Sequence, residues 1–184
     1  DLYEYDPVLD LWAARSSFTG TARTHAVGFG MNGRGYVGTG IDASTRKQDF
    51  FEYDPVADSW AQKANYPGTA RYAAAGFSIG TKGYIGTGDN GFNSQEFWEY
   101  DQGADTWIQR QTFGAVSSRK DAMAFSIGNY GYITCGRTMS GNAPLQDIWE
   151  WNPFDCMGVI GGPTVPGSSC NDNNPSTIND TWSP

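Results

Sequence analysis

The sequence predicts an all-β chain built from propeller blades, four-stranded antiparallel sheets that recur about every 48 residues. Three observations predict it. Arg23, Arg71 and Arg119 are spaced 48 apart (71−23 and 119−71), and the dipeptides Gly35-Tyr36, Gly83-Tyr84 and Gly131-Tyr132 keep the same step. Each copy alternates in the two-residue period of a strand, and no stretch carries the 3.6-residue period of an amphipathic helix.

The chain opens inside a copy: DLYEYDPVLDLWAAR places Tyr5 and Trp12 each 48 residues before Tyr53 and Trp60. A partial blade therefore spans 1–20, and fuller blades span 21–66, 69–113 and 117–153. The first strand of each blade (25–29, 73–77, 121–125) is mostly Ala and Gly before a Phe, which suits strands converging on an axis where large side chains would collide. The second runs through Tyr36-Val37, Tyr84-Ile85 and Tyr132-Ile133 to a glycine or a threonine-cysteine-glycine turn. The third alternates aromatic with acidic residues, as in Phe51-Glu52-Tyr53, Trp98-Glu99-Tyr100 and Trp149-Glu150-Trp151. Alternation sends the two sets to opposite faces of the sheet. An Asp-centred turn then leads to the outer-strand residues Trp12, Trp60 and Trp107.

Over residues 1–153 the chain resembles the kelch-repeat β-propellers. The resemblance rests on the glycine-ended second strand, the Tyr-Asp-Pro after the third, and the tryptophan six or seven residues later. The paired glycines of that pattern are split here as Gly38-Thr39-Gly40 and Gly86-Thr87-Gly88, then Thr134-Cys135-Gly136, a variant similar to bacterial extracellular kelch proteins. The resemblance implies a secreted or cell-surface location.

Composition agrees with an extracellular β-domain: aromatic residues make up 15%, charged residues 17%, and there are 24 glycines. The net charge of −8 argues against a phosphate-binding face for nucleic acid, and no apolar run is long enough for membrane insertion. A closed propeller needs four to eight blades, so the open edges are expected to be covered by further blades of a longer protein or by other chains.

After Pro153 the character changes to Gly, Pro, Ser, Asn and Thr, giving a loop-rich tail over 154–184. Its cysteine spacing is similar to short modules found behind propellers in secreted Bacteroidetes-type surface proteins. A Cys156–Cys170 disulfide is expected to staple this tail, stabilising it by about 3 kcal/mol in the chain-entropy model. Cys135 stands where the other blades have Thr39 and Thr87, and reads first as a buried free thiol, with pairing to Cys156 or to a cysteine outside this sequence as the alternatives.

Four groups of residues are candidates for function. Arg23, Arg71 and Arg119 precede the innermost strands; they form either an anion-binding ring around the axis or structural ties to carboxylates and loop carbonyls. Glu4, Glu52, Glu99 and Glu150 recur at one position per blade, which favours structure over a pair of catalytic carboxylates. His25, the one histidine, reads as an inner-strand filler, so a copper-radical site needing several histidines is not contained here. The connections 41–48, 89–95 and 137–146 differ between copies and carry Asp42, Arg46, Lys47, Asn90, Phe92, Asn93, Arg137 and Asn142, the expected binding residues.

Asp89-Asn90-Gly91…Glu96 and Asp172-Asn173-Asn174…Asp180 are oxygen-rich, but neither fits the twelve-residue calcium loop. No cofactor or metal is expected beyond these weak calcium candidates. The functional expectation is a non-enzymatic extracellular module that recognises a protein or glycan within a larger cell-surface or secreted protein. The alternatives are an architectural subunit of a surface assembly, packing against other subunits, and a sugar-acid isomerase or hydrolase whose catalytic residues lie on other blades.

Overall fold

A computed structural model describes residues 1–92, 95–110 and 118–152. The chain divides into two compact units, Asp1–Glu150 and Trp151–Pro184, and of the second only Trp151 and Asn152 are described. Asn93, the Cys156–Cys170 pair, the calcium-type stretch at Asp172 and the tail 154–184 lie outside the described residues.

The described residues are all-β, without a helix. Strands β1 (Leu2–Asp6) and β2 (Leu11–Arg15) form an isolated hairpin. Next come β3 (Val27–Met31), β4 (Arg34–Gly38), the short pair β5 (Ile41–Asp42) and β6 (Thr45–Arg46), then β7 (Phe50–Asp54) and β8 (Ser59–Lys63). The following repeat supplies β9 (Ala75–Ile79), β10 (Lys82–Gly86), β11 (Phe97–Asp101) and β12 (Thr106–Arg110). The last supplies β13 (Arg119–Lys120), β14 (Met123–Ile127), β15 (Tyr130–Thr134), β16 (Arg137–Thr138) and β17 (Ile148–Trp151). Two of the resulting sheets are four-stranded antiparallel meanders, β3-β4-β7-β8 and β9-β10-β11-β12, and a third has the order β14-β15-β17.

The repeat extends to the pairing register. Phe29 faces Tyr36, Phe77 faces Tyr84, and Phe125 faces Tyr132. Tyr5–Trp12, Tyr53–Trp60 and Tyr100–Trp107 are likewise opposite each other in successive outer hairpins. A one-residue slip in any copy would turn its aromatic set to the wrong face, so the shared register is the structural counterpart of the shared sequence.

The innermost strands begin two residues later than the sequence suggests. His25, Ala73 and Asp121 are left-handed, with φ of 54°, 54° and 57°, and interrupt the extended run before Val27, Ala75 and Met123. Such a conformation costs a side chain of this type about 1–2 kcal/mol. Backbone pairing between successive repeats offsets it: Ala73 N–H donates to His25 C=O at 2.9 Å, and Asp121 N–H to Ala73 C=O at 3.1 Å. Gly40 N–H donates to Arg71 C=O at 2.8 Å and Gly88 N–H to Arg119 C=O at 2.7 Å, so two ties bind each repeat to the next near the inner strands.

Within Asp1–Glu150 the core lies between sheets. Phe29, Tyr36 and Phe50 form a stacked column with ring centroids 5.7 and 5.4 Å apart, and Phe77, Tyr84 and Phe97 repeat it at 5.1 and 5.6 Å. The first column presses on the glycines of the next sheet: a Cβ placed on Gly83 would come within 2.7 Å of the Phe29 ring, and one on Gly131 would collide with the Phe77 ring. Sheets whose inner residues interdigitate this way are the usual source of β-domain stability. Phe50 and Phe97 at the strand entry are buried more completely than Phe51 and Tyr53.

The outer rim carries a second repeated tie. Trp60 Nε1 donates to Ser16 C=O at 3.0 Å while Ser16 N–H donates to Asp58 Oδ1 at 2.9 Å. One repeat on, Trp107 Nε1 donates to Ala64 C=O at 2.8 Å while Ala64 N–H donates to Asp105 Oδ1 at 3.0 Å. The aspartates are held in place by Tyr53 and Tyr100, whose hydroxyls donate to them at 2.7 Å. The Tyr-Asp…Trp signature is thus a device for fastening one sheet to the segment leaving the sheet before it.

Candidate functional site

The repeated arginines enter the structure as buried fasteners. Arg71 is fully buried; Nη1 donates to Thr87 C=O at 2.8 Å, Nε to Thr69 C=O at 3.0 Å, and Nη2 pairs with Glu96. Arg119 Nη1 and Nη2 grip Asp147 bidentately at 2.8 and 2.7 Å, and Nη1 also donates to Cys135 C=O at 3.0 Å. Arg23 repeats the pattern with Thr39 C=O and Asp49. Each guanidinium therefore ties the entry of its own inner strand to the second strand and to the approach of the third. The bidentate Arg119 grip, with burial opposing it, holds the Asp147 carboxyl at about 2.

The repeated glutamates are matched to cations across the third and fourth strands. Arg15 Nε reaches Glu4 at 3.0 Å, Lys63 reaches Glu52 at 3.8 Å, and Arg110 contacts both oxygens of Glu99 at 2.9 and 3.0 Å. Tyrosines add to this: Tyr36 donates to Glu52, and Tyr132 to Glu150 at 2.8 Å. Burial first, then the Glu52 hydrogen bond, raises the Tyr36 hydroxyl well above the usual tyrosine range.

The first two variable connections meet directly. The β5–β6 hairpin places Arg46 against the next repeat, where Nη2 reaches Asp89 Oδ1 at 2.9 Å and Nε reaches Asp89 C=O at 3.1 Å. Asp89 Oδ2 accepts from Tyr72 at 2.8 Å and from Lys120 of the third repeat at 3.1 Å, and Gly91 N–H closes on Oδ1 at 3.0 Å. Arg46 also lies 5.5 Å over the Tyr72 ring. Burial works to raise the Asp89 carboxyl, but the Tyr72, Lys120, Arg46 and Gly91 hydrogen bonds outweigh it and hold the group at about 2. A carboxylate held that low and already accepting from four donors does not exchange a proton near neutral pH.

The remaining sequence candidates flank this hub. Asp42 pairs with Lys47 at 2.5 Å, which lowers the Asp42 carboxyl. Arg137 pairs with Asp121 at 2.6 Å and reaches the hub through β16, which pairs with β13 and so with Lys120. Asn90 is buried and accepts from Phe92 N–H at 2.9 Å, leaving the Phe92 ring 76% exposed. Asn142 occupies an exposed left-handed turn, φ 54°. Sequence reasoning missed Tyr72 and Lys120 as members of the patch. Their signal was present: both follow the repeated arginine directly, the position nearest the connections of the preceding repeat.

Two single-residue expectations change. His25 is exposed in its left-handed turn rather than filling an inner strand; Nδ1 lies 3.0 Å from Thr24 Oγ1, and the ring meets Tyr72 edge-on at 5.7 Å. Cys135 is an unbridged thiol, as expected, but it is exposed rather than buried. Its counterpart Thr39 is fully buried beneath the following repeat, whereas among the described residues no sheet follows the third.

Among the described residues no cluster of three or more His, Cys, Asp or Glu side chains could hold a metal ion. In the calcium-type stretch that begins at Asp89, the carboxylate is taken up by Arg46, Lys120 and Tyr72. No protein-family model matches the chain, and no curated protein matches it.

Proposed function

We propose that the chain is a non-enzymatic, extracellular binding module of kelch-propeller type, which recognises a protein or a glycan through the linked connections of its repeats. The observation that carries this reading is the hub at Asp89. Three successive repeats contribute Arg46, Asp89 with Tyr72, and Lys120 to one hydrogen-bonded patch, so loops that differ in sequence are fixed relative to one another. A rigid scaffold presenting variable loops is the usual construction of a recognition surface. Phe92 stands free beside the hub as an aromatic contact for a sugar ring or an apolar side chain.

The charges of the patch are mutually compensated, which suits recognition by hydrogen bonding and stacking rather than acid–base catalysis. Catalysis calls for unlike groups whose pKa values are pushed apart towards the working pH, while Asp42, Asp89 and Asp147 are all pushed down.

The test is a screen of the whole chain against immobilised glycans and surface proteins, followed by Phe92→Ala and Arg137→Ala in any interaction found. Binding that weakens at least tenfold in one of these variants, with the melting temperature unchanged, is the expected result. Binding indifferent to both, or turnover of a sugar acid by the chain, would remove the reading.

A further inference from the structure

The chain contains the dipeptide Asn-Gly twice, at Asn32-Gly33 and at Asn90-Gly91. Asparagine before glycine is prone to lose its side-chain amide. The following backbone nitrogen attacks the side-chain carbonyl, and glycine has no Cβ to obstruct the approach. The two copies of the dipeptide stand in opposite surroundings.

At Asn90 the reacting groups are engaged. Asn90 is 7% exposed, and its Oδ1 accepts from Phe92 N–H at 2.9 Å. The attacking nitrogen, Gly91 N–H, is bonded to Asp89 Oδ1 at 3.0 Å, and the Arg46 guanidinium lies 3.8 Å from a Cβ built on Gly91. Asp89 is in turn held by Tyr72, Arg46 and Lys120, so freeing Gly91 means opening the hub.

At Asn32 they are open. Asn32 and Gly33 form the exposed two-residue turn between β3 and β4, closed by the Met31–Arg34 pair. Both are left-handed, φ 48° and 73°, the type I′ geometry that Asn-Gly favours. Among the described residues Gly33 N–H has no hydrogen-bond partner, and a Cβ built on Gly33 meets nothing within 4 Å. One bond restrains the side chain: Asn32 Nδ2 donates to Gln102 Oε1 at 3.0 Å, from the first repeat to the second. The turn itself does not require asparagine, since its counterparts Gly80 and Gly128 (80−32 and 128−80 are both 48) are glycines with φ of 57°.

We propose that Asn32 is a deamidation site of the folded protein and that the Asn90 dipeptide is protected from the same reaction. Gly33 N forms a bond to Asn32 Cγ and gives up its proton to solvent. The Cγ–Nδ2 bond breaks with its electron pair, and the departing nitrogen takes a proton from solvent and leaves as ammonia. The product is a five-membered succinimide, and water adds to one of its two carbonyls. Attack at Cγ breaks the bond to Gly33 N and leaves aspartate. Attack at the main-chain carbon breaks the peptide bond instead and leaves isoaspartate, with the backbone routed through the side chain. The balance is asparagine plus water giving a carboxyl group plus ammonia, with no oxidant or reductant. Ring closure needs Asn32 to leave its turn conformation, so the Gln102 bond is the brake. Either product has lost the Nδ2 donor to Gln102, and isoaspartate adds a backbone atom to a turn of fixed two-residue geometry. Deamidation thus removes a tie between the first and second repeats, at the strand ends opposite the hub.

The test is incubation of the whole folded chain in heavy-oxygen water at mildly alkaline pH, below its melting transition, followed by peptide mapping with electron-transfer fragmentation. Water supplies the incoming oxygen, so the label separates conversion during incubation from conversion during digestion. The expected result is labelled aspartate and isoaspartate at residue 32, accumulating more than about tenfold faster than at residue 90. In the chain unfolded by urea the two sites are expected to convert at similar rates, because the fold alone separates them. Gln102→Ala is expected to speed conversion at residue 32 with the circular dichroism spectrum unchanged. Asn32→Gly, which copies Gly80 and Gly128, is expected to fold and to give no label there. A folded chain that keeps Asn32 intact while the unfolded chain converts it overturns the proposal. So does conversion of folded Asn90 as fast as Asn32, or a Gln102→Ala chain that converts no faster than the wild type.

Discussion

Replacing Arg71 by alanine separates a structural arginine from a ligand-binding one. The side chain is fully buried, spans Thr69 and Thr87 carbonyls, pairs with Glu96, and lies 4.9 Å from the centroid of the Tyr66 ring. Removing one member of a buried ion pair costs about 3–5 kcal/mol when the other charge stays buried. Glu96 retains 30% side-chain exposure and rehydrates when released, which moves the cost to the lower end of that range. Two carbonyls lose a charged donor, at about 1 kcal/mol each, so a total of about 5 kcal/mol is expected. For a cooperative unit of this size that is a fall in melting temperature of about 10–20 °C. Differential scanning calorimetry reads it, with Arg46→Ala as the control. Arg46 is 36% exposed on the surface of the hub and is expected to cost under about 1 kcal/mol. If Arg71→Ala melted within about 2 °C of the wild type but lost binding or turnover of an anion, the arginines would be ligand groups and the fastener account would be wrong.

Three further expectations follow from the same geometry. Gly83→Ala is expected to destabilise by about 1–3 kcal/mol because its Cβ meets the Phe29 ring, while Gly35→Ala is near neutral; chemical denaturation of the pair reads the difference. Asp89 and Asp147 have depressed carboxyl pKa values of about 2, so the stability they supply is present above the unfolded value of about 4 and is lost as pH falls towards 2. Acid melts of Asp89→Asn and Asp147→Asn should show a shallower decline over that window, and a decline as steep as that of the wild type would contradict the assignment. Tyr36, Tyr66 and Tyr100 are raised by burial first, so their contribution is present below about pH 10 and lost above it. Ultraviolet titration should show these three ionising only with alkaline unfolding.

The fold was legible because its cause is repeated. A step of 48 residues fixes arginine, Gly-Tyr and Tyr…Trp positions together, and the tyrosines of the last two turned out to be in register across the sheets, with phenylalanine and with tryptophan. What could not be read was anything carried by backbone conformation. The left-handed φ of His25, Ala73 and Asp121 falls on three unlike residues, so composition gave no warning that the strands begin after them. The site was legible as a set of loops but not as a network. Arg46 and Asp89 are 43 residues apart, and the spacing that joins them comes from the stacking of sheets, not from either loop. The structural role of the glutamates was readable from repetition, while their cationic partners, Arg15, Lys63 and Arg110, required knowledge of which strands pair.

The central claim is that successive repeats are equal sheets mated by an aromatic knob on a glycine socket. Proton–proton Overhauser contacts in the isotopically labelled chain test it most directly. The account predicts cross-peaks from the Phe29 ring to the Gly83 α-protons and from the Phe77 ring to the Gly131 α-protons. Assigned rings that show neither contact, in a chain that is otherwise folded, would contradict it.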